Sequence, residues 1–394
     1  MSAKQLFKIV PLTPTEINYL QSLAPVVKES GVTVTTTMYQ YMFKTYPEVR
    51  TYFNMTNQKT GKQPKVLAFS LYQYILHLNN LKPIEGFVNQ IVIKHVGLNI
   101  LPDQYPIVGK CLIHAFKECL GSAADDYFVN TLSKAYGNLA QILINAEEEH
   151  YSKLQWRDFK DFKVTKLVKE SEDVTSVYLT PIDGTILNPI IPGQYISQRW
   201  TVKGGEKSDN DENIIDSREY SISNDLINNE YRISVRNIGK VSNFINNELK
   251  VGDIIPVHAP VGNMTYNSAE SKENLTILAG GIGITPMITI INAALKDGKN
   301  VELFYSNKSV NREPFRDYFN NLQNQYPNQF KLHEYISENG HVLKTSELNH
   351  IDNKTHDVYL LGPVSYMHEF KTYLQNNGIE NIKMEFFGPT DPDC

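Results

Sequence analysis

A run of 21 residues without a charged side chain, LTILAGGIGITPMITIINAAL, occupies positions 275–295. This length is sufficient to span a membrane. Gly280, Gly281, Gly283 and Pro286 interrupt the run in its middle, however. A buried parallel strand that turns into a helix produces the same uncharged pattern. We therefore predict a strand, a glycine loop and a helix of an α/β domain at this position, and no transmembrane segment.

The whole chain is too long for a single hydrophobic core. At 394 residues it is expected to form several domains. Its net charge of −5, with no long basic run, argues against nucleic acid as a partner. Its three cysteines lack CxxC spacing, which disfavours a disulfide framework and a cysteine metal site. Because the first residues lack a signal-peptide pattern, we expect a cytoplasmic protein, and we expect a monomer.

The spacing of apolar residues changes twice along the chain. Residues 1–150 have helical spacing, which predicts a compact all-α domain. Residues 157–268 have short alternating runs and regular turn signals, which predict an antiparallel β-barrel with a solvated loop at 203–217. Strands and helices alternate over residues 269–394, as in an α/β domain with a parallel sheet. The predicted helices run from Pro14 to about residue 46 and over about 64–81, 84–97, 103–120 and 124–148.

The glycine loop AGGIGITPM, at 279–287, is suited to a phosphate group. Glycines that follow a strand let the backbone approach a pyrophosphate, and the next helix directs its positive N-terminus toward it. The loop lacks the third glycine of the dinucleotide fingerprint, so a tight strand-to-helix turn explains it equally well. The segment REYS, 218–221, adds a cation, an aromatic ring and a hydroxyl that together suit a nucleotide. In NIGKVSNFI, Gly239 and Ser242 lie at a predicted helix start.

The segment QIVIKHVGLN, at 90–99, places a histidine on an apolar helix face. Phe87, Ile91 and His95 follow one another at four-residue spacing, so all three point the same way. An imidazole in an apolar wall can be the proximal ligand of a haem iron. A core histidine bonded to a backbone carbonyl fits the same segment.

Two family resemblances cover nearly the whole chain. Residues 157–394 carry REYS, the glycine loop, LGP and EFFGP in that order, and they resemble the ferredoxin-reductase-type flavoproteins. In that superfamily a Greek-key barrel carries FAD and an α/β domain binds NAD(P)H. Residues 1–150 carry MYQYMF, YFNMTNQKTG, KHVGLN, QYPIVGK and KAYGNLAQILINAEEE, and they are similar to the globin domain of flavohaemoglobins. The chain is therefore identified as a member of the flavohaemoglobin family.

The resemblance implies a set of reductase site residues. FAD would be held by Tyr195, Arg218, Glu219, Tyr220, Ser221, Gly239 and Ser242. The nicotinamide nucleotide would meet Gly281, Ile282, Gly283, Ile284, Thr285 and Pro286, and Phe386, Phe387, Gly388 and Pro389 would close over the flavin. Leu361 stands where the superfamily usually has a cysteine. Cofactor binding is still expected with this leucine, and the rate of hydride transfer is left open.

The resemblance also implies roles in the globin domain. His95 would ligate the haem iron with Lys94 beside it, Tyr39 would hydrogen-bond bound oxygen, and Phe53 would pack on the haem. Gln63 and Leu67 would complete the distal side, Tyr105 and Glu147 would organise the histidine, and Glu385 would help to couple flavin and haem. Pro64 follows Gln63 directly and disfavours helical geometry there, so Tyr39 is favoured as the principal distal contact.

The implied activity is that of a nitric oxide dioxygenase with haem b, FAD and NAD(P)H. NAD(P)H reduces FAD, FAD reduces the haem, and O2 at the haem converts nitric oxide to nitrate. Two alternatives fit the same residues. One is an NAD(P)H-dependent reductase of ferric chelates, quinones or lipid peroxides, and the other is a sensor of O2 or nitric oxide without turnover. No charged residue near the glycine loop in the sequence decides between NADH and NADPH.

Overall fold

The structure is a computed structural model that describes residues 4–53, 58, 60–203 and 213–387. Over these residues the chain divides into two compact units. The first unit ends at Arg157, and the second runs from Asp158 through Phe387. The first unit is helical, and the second contains both β-sheets.

The helices of the first unit begin at clear capping and proline signals. Thr13 caps α1, with a 3.2 Å hydrogen bond from the Glu16 N–H to its hydroxyl, and Asp125 caps α6 through the Phe128 N–H at 2.8 Å. The helices are α1 Pro14–Ser22, α2 Ala24–Thr45, α3 Lys62–Leu76, α4 Glu85–Gly97, α5 Tyr105–Leu120 and α6 Asp126–Tyr151. The structure confirms the predicted all-α domain.

Two predicted helix boundaries are wrong. The single helix expected up to residue 46 is two helices, α1 and α2, which meet at Leu23. Pro25 stands in the first turn of α2, where its missing N–H costs no hydrogen bond, whereas it would break a continuous helix. The helix expected over 64–81 ends at Leu76.

The second unit begins with a six-stranded antiparallel sheet. Its strands are β1 Phe159–Ser171, β2 Val174–Pro181, β3 Tyr195–Lys203, β4 Asn213–Ser221, β5 Tyr231–Arg236 and β6 Ile254–His258, in the order β4-β3-β6-β1-β2-β5. A bridge between Ile222 and Ile233 joins the two ends of this order, so the sheet closes as the predicted barrel. Helix α7, Lys240–Asn247, follows β5.

The solvated loop predicted at 203–217 is only partly a loop. Its last residues belong to β4, and Asn213 through Ser217 pair in register with β3. The isoleucines that begin β4 support this pairing because β-branched residues favour strands. Residues 204–212 of the predicted loop lie outside the described residues.

The second sheet is parallel and has its most buried strand in the middle. Its strands are β7 Asn274–Gly280, β8 Asn300–Asn307, β9 Phe330–Ile336, β10 His356–Leu361 and β11 Ile382–Met384, in the order β11-β10-β7-β8-β9. The accompanying helices are α8 Thr285–Lys296, α9 Arg316–Gln325 and α10 Val364–Asn376. The uncharged run at 275–295 is therefore β7 and α8, as predicted.

The order of the parallel strands locates a nucleotide crevice. From β7 the chain moves to β8 and β9 on one side, and it then crosses to β10 and β11 on the other. Ligands of open α/β sheets bind at the carboxyl end of the strands where this direction reverses. The glycine loop after β7 lies at this point. No helix among the described residues combines the length and the apolar character that a membrane crossing requires.

Candidate functional site

His95, in the last turn of α4, is held by two buried side chains. Its Nδ1 lies 2.8 Å from Glu147 Oε1 on α6 and 3.0 Å from the Tyr105 hydroxyl at the start of α5. The Tyr105 hydroxyl in turn donates to the same Glu147 oxygen. Glu147 is 2% exposed and Tyr105 is 6% exposed, so water has little access to this network. Three predicted residues from three helices thus meet, and Nε2 is left as the ring nitrogen that could bind a metal.

Burial keeps the Tyr105 hydroxyl protonated. The pKa of Tyr105 lies far above its usual value of 10, because burial and the Glu147 charge both oppose a phenolate. Tyr105 therefore donates a hydrogen bond to Glu147 at neutral pH. The same carboxylate accepts a second hydrogen bond from His95 when the ring proton is on Nδ1. Such an arrangement fixes the tautomer and the orientation of a ligating imidazole.

Two further tyrosines on α6 support this cluster, and the sequence analysis missed both. The Tyr136 hydroxyl donates to the Tyr105 carbonyl at 2.6 Å, and the Tyr151 hydroxyl donates to the Ile100 carbonyl at 2.8 Å. Their spacing in the sequence could have revealed them. Tyr151 lies about one helical turn after Glu147 and Tyr136 about three turns before it, so all three residues share one face of α6. Helix α6 therefore fixes both the end of α4 and the start of α5.

The donor set around His95 fits a haem. The His95 side chain is 31% exposed, although Val92 and Val96 on the same helix are buried. The described residues contain no group of three or more histidine, cysteine or acidic side chains that could hold a bare metal ion. A haem needs a single proximal histidine from the protein, because its porphyrin supplies the equatorial ligands. Lys94 lies half-buried beside His95.

The predicted distal residues also meet. Tyr39 on α2 is 6% exposed, and its ring lies 5.6 Å from that of Phe53 in an edge-on contact. Leu67 on α3 packs against the same apolar cluster. The side-chain amides of Gln63 and Gln58 lie near the Tyr39 hydroxyl. Burial raises the pKa of Tyr39 to about 12 although these two amides act in the opposite direction, so the hydroxyl keeps its proton at neutral pH.

The geometry predicted for Gln63 is wrong. Helix α3 begins at Lys62, so Gln63 is helical and its side chain reaches Tyr39. Pro64 is tolerated there because the first N–H groups of a helix have no intrahelical partner. Its carbonyl accepts a 2.8 Å hydrogen bond from the buried Thr35 hydroxyl. Gln58, the second amide at Tyr39, had no signal in the sequence because it lies outside the periodic segments.

The predicted flavin residues lie on two neighbouring barrel strands. Tyr195 on β3 pairs with Ser221 on β4, and the next positions along β4 are Tyr220, Glu219 and Arg218. Tyr195 is 4% exposed, and the carboxylates of Glu219 and Glu385 lie near its hydroxyl. Burial, together with both carboxylates, holds the pKa of Tyr195 well above 10. Three residues from distant parts of the chain, Tyr195, Glu219 and Glu385, are thus brought together.

The other predicted flavin residues are arranged around Arg218 and the start of α7. The Arg218 guanidinium is fixed by the Asp216 carboxylate, with Nη2 at 2.9 Å from Oδ2. The Ser242 hydroxyl accepts from the Gly239 N–H at 2.8 Å, and Gly239 borders a cleft of about 420 Å³ that Lys240 also lines. A helix start, a lysine and a cleft suit the phosphates of FAD.

The C-terminal residues of the predicted flavin site are only partly described. Phe386 packs against the core of the parallel sheet, and Phe387 is 55% exposed. Gly388 and Pro389 lie outside the described residues.

The glycine loop has the conformation that its sequence predicts. Gly281 has φ +56°, a value that favours glycine. A Cβ on Gly283 would lie 2.3 Å from the Leu361 carbonyl oxygen, so only glycine fits there. After Ile282 and Ile284, helix α8 begins at Thr285, with Pro286 in its first turn. The loop therefore presents backbone N–H groups and a helix start to a ligand.

One arginine lies against this loop and a second is hydrogen-bonded to that arginine, although the sequence shows none nearby. A Cβ on Gly281 would lie 2.4 Å from Arg236 Nη1, so the guanidinium rests directly on the loop. Arg236 ends β5 of the barrel, and its Nη2 donates to the Arg312 carbonyl at 2.8 Å. The sequence analysis missed both residues because they are distant from the loop along the chain.

Both the helical part and the α/β part of the chain are similar to known protein families. A globin family model matches residues 36–143, and an oxidoreductase NAD-binding domain model matches residues 277–371. Fold and site together define a globin joined to an oxidoreductase module of the NAD-binding type. A flavohemoprotein of Candida norvegensis is 67% identical over 100% of both chains, and one of Candida albicans is 44% identical over 97% of this chain and 98% of its own. The chain belongs to the flavohemoprotein family, which confirms the predicted resemblance.

Solved structures agree with this assignment. A flavohemoglobin from Malassezia yamatoensis with bound FAD and heme superposes with a TM-score of 0.84 at 25% identity, over 96% of this chain and 100% of its own. The FAD/NAD-binding domain of a nitric oxide dioxygenase from Vibrio cholerae matches with a TM-score of 0.51 at 31% identity, over 59% of this chain and 100% of its own.

Proposed function

We propose that the protein is a nitric oxide dioxygenase that uses haem b, FAD and NAD(P)H. When bound, FAD would take a hydride from NAD(P)H and pass its electrons singly to the haem iron, at which O2 and nitric oxide combine to nitrate. Its flavohemoprotein relatives and the dioxygenase domain from Vibrio cholerae support this activity. The cytoplasmic location and the monomeric state stay predictions from the sequence.

The observation that carries the proposal is the contact between His95 and Glu147. A buried carboxylate 2.8 Å from Nδ1 draws the ring proton toward itself, which makes the imidazole more anionic. A more anionic ligand strengthens the electron donation that O2 activation needs, as thiolate ligands do in other haem enzymes. A reversible oxygen carrier or a sensor without turnover has no need of this arrangement.

On the distal side, Tyr39 supplies a preorganised hydrogen bond. Its hydroxyl is buried and protonated and lies near the amides of Gln63 and Gln58, so it need not reorganise when negative charge develops on oxygen. Phe53 and Leu67 contribute apolar surroundings to the Tyr39 ring. A buried donor of this kind slows oxygen release.

In the second unit, two groups of residues would position the flavin and the nicotinamide nucleotide. Tyr195, Tyr220 and Ser221 lie side by side on β3 and β4, where they can stack on a flavin and bond to its ring. The glycine loop brings backbone N–H groups to the nucleotide phosphates. Leu361 is 1% exposed at the end of β10, and its carbonyl packs against Gly283. It shapes the loop through its backbone, so a leucine there is compatible with nucleotide binding.

The experiment is turnover of the purified holoprotein in air with NADPH or NADH. Nitric oxide should accelerate oxidation of the nucleotide, and nitrate should form with one electron consumed for each molecule. Reduction of a lipid hydroperoxide, measured at equal nucleotide concentration, should be slower. Faster hydroperoxide reduction would favour the reductase alternative, and nucleotide oxidation that nitric oxide fails to accelerate would favour a sensor.

A further inference from the structure

Three charged side chains form a cluster at the carboxyl end of β8, beside the glycine loop. Arg312 donates to Asp173 Oδ2 from Nε at 2.8 Å and from Nη2 at 2.6 Å. Arg236 Nε lies 3.3 Å from the same oxygen. Asp173 is in the turn between β1 and β2, and the adjacent Glu172 N–H donates to the Asn311 carbonyl at 2.8 Å. The barrel therefore fixes the position of an arginine of the α/β domain.

This cluster occupies the place where α/β folds read the ribose of the adenosine. The residue that does so follows the strand next to the glycine-loop strand. An acidic side chain there binds the 2′-hydroxyl of NAD, and an arginine accommodates the 2′-phosphate of NADP. In this chain the strand is β8, and the segment after it is NKSVNREPFR, 307–316. It contains two exposed or partly exposed cations, Lys308 and Arg312, ahead of its single acidic residue.

That acidic residue, Glu313, does not face a ligand. Its side chain is 1% exposed, and Arg316 lies 3.8 Å from it. Burial, with the neighbouring Glu334 charge, raises the pKa of Glu313 to about 7, so its negative charge is weakened at neutral pH. The Arg312 side chain, by contrast, is 36% exposed.

We propose that Arg312 binds the 2′-phosphate of NADPH and that the protein therefore prefers NADPH to NADH. Asp173 accepts from Nε and Nη2 of Arg312, which leaves the N–H groups of Nη1 and one N–H of Nη2 for a ligand on a side chain that is 36% exposed. Because this pairing already orders the side chain, binding a phosphate costs little further side-chain entropy. A planar guanidinium fork suits a phosphate better than any other side chain. Asp173 is the positioning residue for this fork. The proposal rests on the proposed function only in using the same nicotinamide site.

Arg236 has a different role in the same site. Its guanidinium rests on Gly281, where the pyrophosphate of either nucleotide would approach the loop. NADH and NADPH share this pyrophosphate, so Arg236 contributes to the binding of both. The two arginines thus differ in what their replacement should do, although they contact the same aspartate.

The first test measures binding without turnover. Calorimetric titration of the FAD- and haem-loaded protein should show 2′,5′-ADP binding at least about tenfold more tightly than 5′-AMP. Anaerobic reduction of the flavin by NADPH should likewise have a kcat/KM at least about tenfold higher than reduction by NADH. Both measurements omit nitric oxide, so they give an answer whether or not the protein is a dioxygenase.

The second test uses variants of the cluster. Arg312→Gln should lower kcat/KM for NADPH by about tenfold or more and change that for NADH by less than about twofold. Arg312→Lys should restore part of the preference, because a point charge replaces the fork. Arg236→Gln should lower both values alike. Lys331→Gln, which removes an exposed lysine paired with Glu302 near the start of β9, is the matched control and should change neither.

The proposal fails if the wild-type protein binds 2′,5′-ADP and 5′-AMP equally. It also fails if Arg312→Gln weakens NADH and NADPH to the same extent while the variant keeps its flavin and its wild-type circular dichroism. If the wild-type protein prefers NADH and Arg312→Gln leaves that preference unchanged, the proposal is wrong. Arg312 would then serve only to form a structural ion pair with Asp173.

Discussion

The His95 cluster depends on which side chains are present, whereas the glycine loop depends on the absence of side chains. Around His95, buried side chains from three helices meet, and the chemistry depends on which atoms they carry. At Gly281 and Gly283, the backbone can approach a ligand because side-chain atoms are absent, and a single added carbon would collide with a neighbour. The first site should therefore tolerate changes of size better than changes of charge, and the second should show the reverse.

The largest effect is expected from His95→Ala. The variant should lose its haem and the Soret band, because we propose His95 as the proximal ligand. Reduction of an artificial acceptor through the flavin should continue at the wild-type rate, because the reductase is a separate unit. The absorption spectrum and a ferricyanide assay measure both. His114→Ala, which removes a 42% exposed histidine of the same unit, is the control. A normal Soret band in His95→Ala would show that the ligand is assigned wrongly.

The next largest effect is expected from Gly283→Ala. The added methyl would lie 2.3 Å from the Leu361 carbonyl, so the loop must shift. A shift of about 1 Å can cost on the order of 100-fold in rate. Stopped-flow flavin reduction by NADPH measures it. Gly86→Ala, whose Cβ would meet no atom within 4 Å, should behave as wild type. Wild-type reduction in Gly283→Ala would contradict the idea that the backbone builds this site.

A smaller effect is expected from Glu147→Gln, which keeps the shape and removes the charge. The neutral amide should hold the imidazole less strongly and make it a weaker donor, so the haem reduction potential should rise and nitrate formation should fall by about 10- to 100-fold. Spectroelectrochemical titration measures the potential. Glu148→Gln is the control, because Glu148 pairs with Arg157 and not with His95. An unchanged potential in Glu147→Gln would leave Glu147 with a packing role alone.

The smallest effect is expected at Tyr39. Tyr39→Phe removes one hydrogen-bond donor, worth about 1 kcal/mol, so oxygen should dissociate on the order of fivefold to tenfold faster. The raised pKa of about 12 means that the donor form persists below that pH. Wild-type oxygen release, followed by stopped-flow absorbance, should therefore be flat between about pH 6 and 10. Tyr41→Phe is the control, since Tyr41 stacks on His114 instead. A titration step near neutral pH would contradict the assignment.

The sequence predicts features that repeat over short distances. The short alternating runs of residues 157–268 predict strand faces, and in β5 the alternate residues Tyr231, Ile233 and Val235 are at most 1% exposed. The spacing around His95 indicated an inward histidine. The sequence could not show which of three consecutive glutamates meets this histidine, because a helix turns by 100° per residue. The structure selects Glu147 and directs Glu148 to Arg157.

Contacts between distant segments are the part that the sequence does not show. Arg236 reaches the glycine loop only because a barrel strand ends beside it, and it brings the Arg312 carbonyl close through a hydrogen bond. No local pattern in the sequence marks either position. The conformation of Gln63 differs from its prediction for a related reason. A residue before proline locally disfavours helical geometry, but Gln63 lies in the first turn of α3 with its side chain near Tyr39.

The ion pair between Asp173 and Arg312 also limits how this protein can be recombined with its relatives. Its two members belong to different sheets, with Asp173 between β1 and β2 and Arg312 after β8. A chimera that exchanges the α/β domain alone would leave Asp173, which is 14% exposed, with Arg236 of the barrel as its remaining arginine partner. Removing one partner of a largely buried ion pair destabilises a fold. We therefore expect nucleotide domains to be exchanged with less loss of stability when the incoming domain also carries an arginine at the position of Arg312.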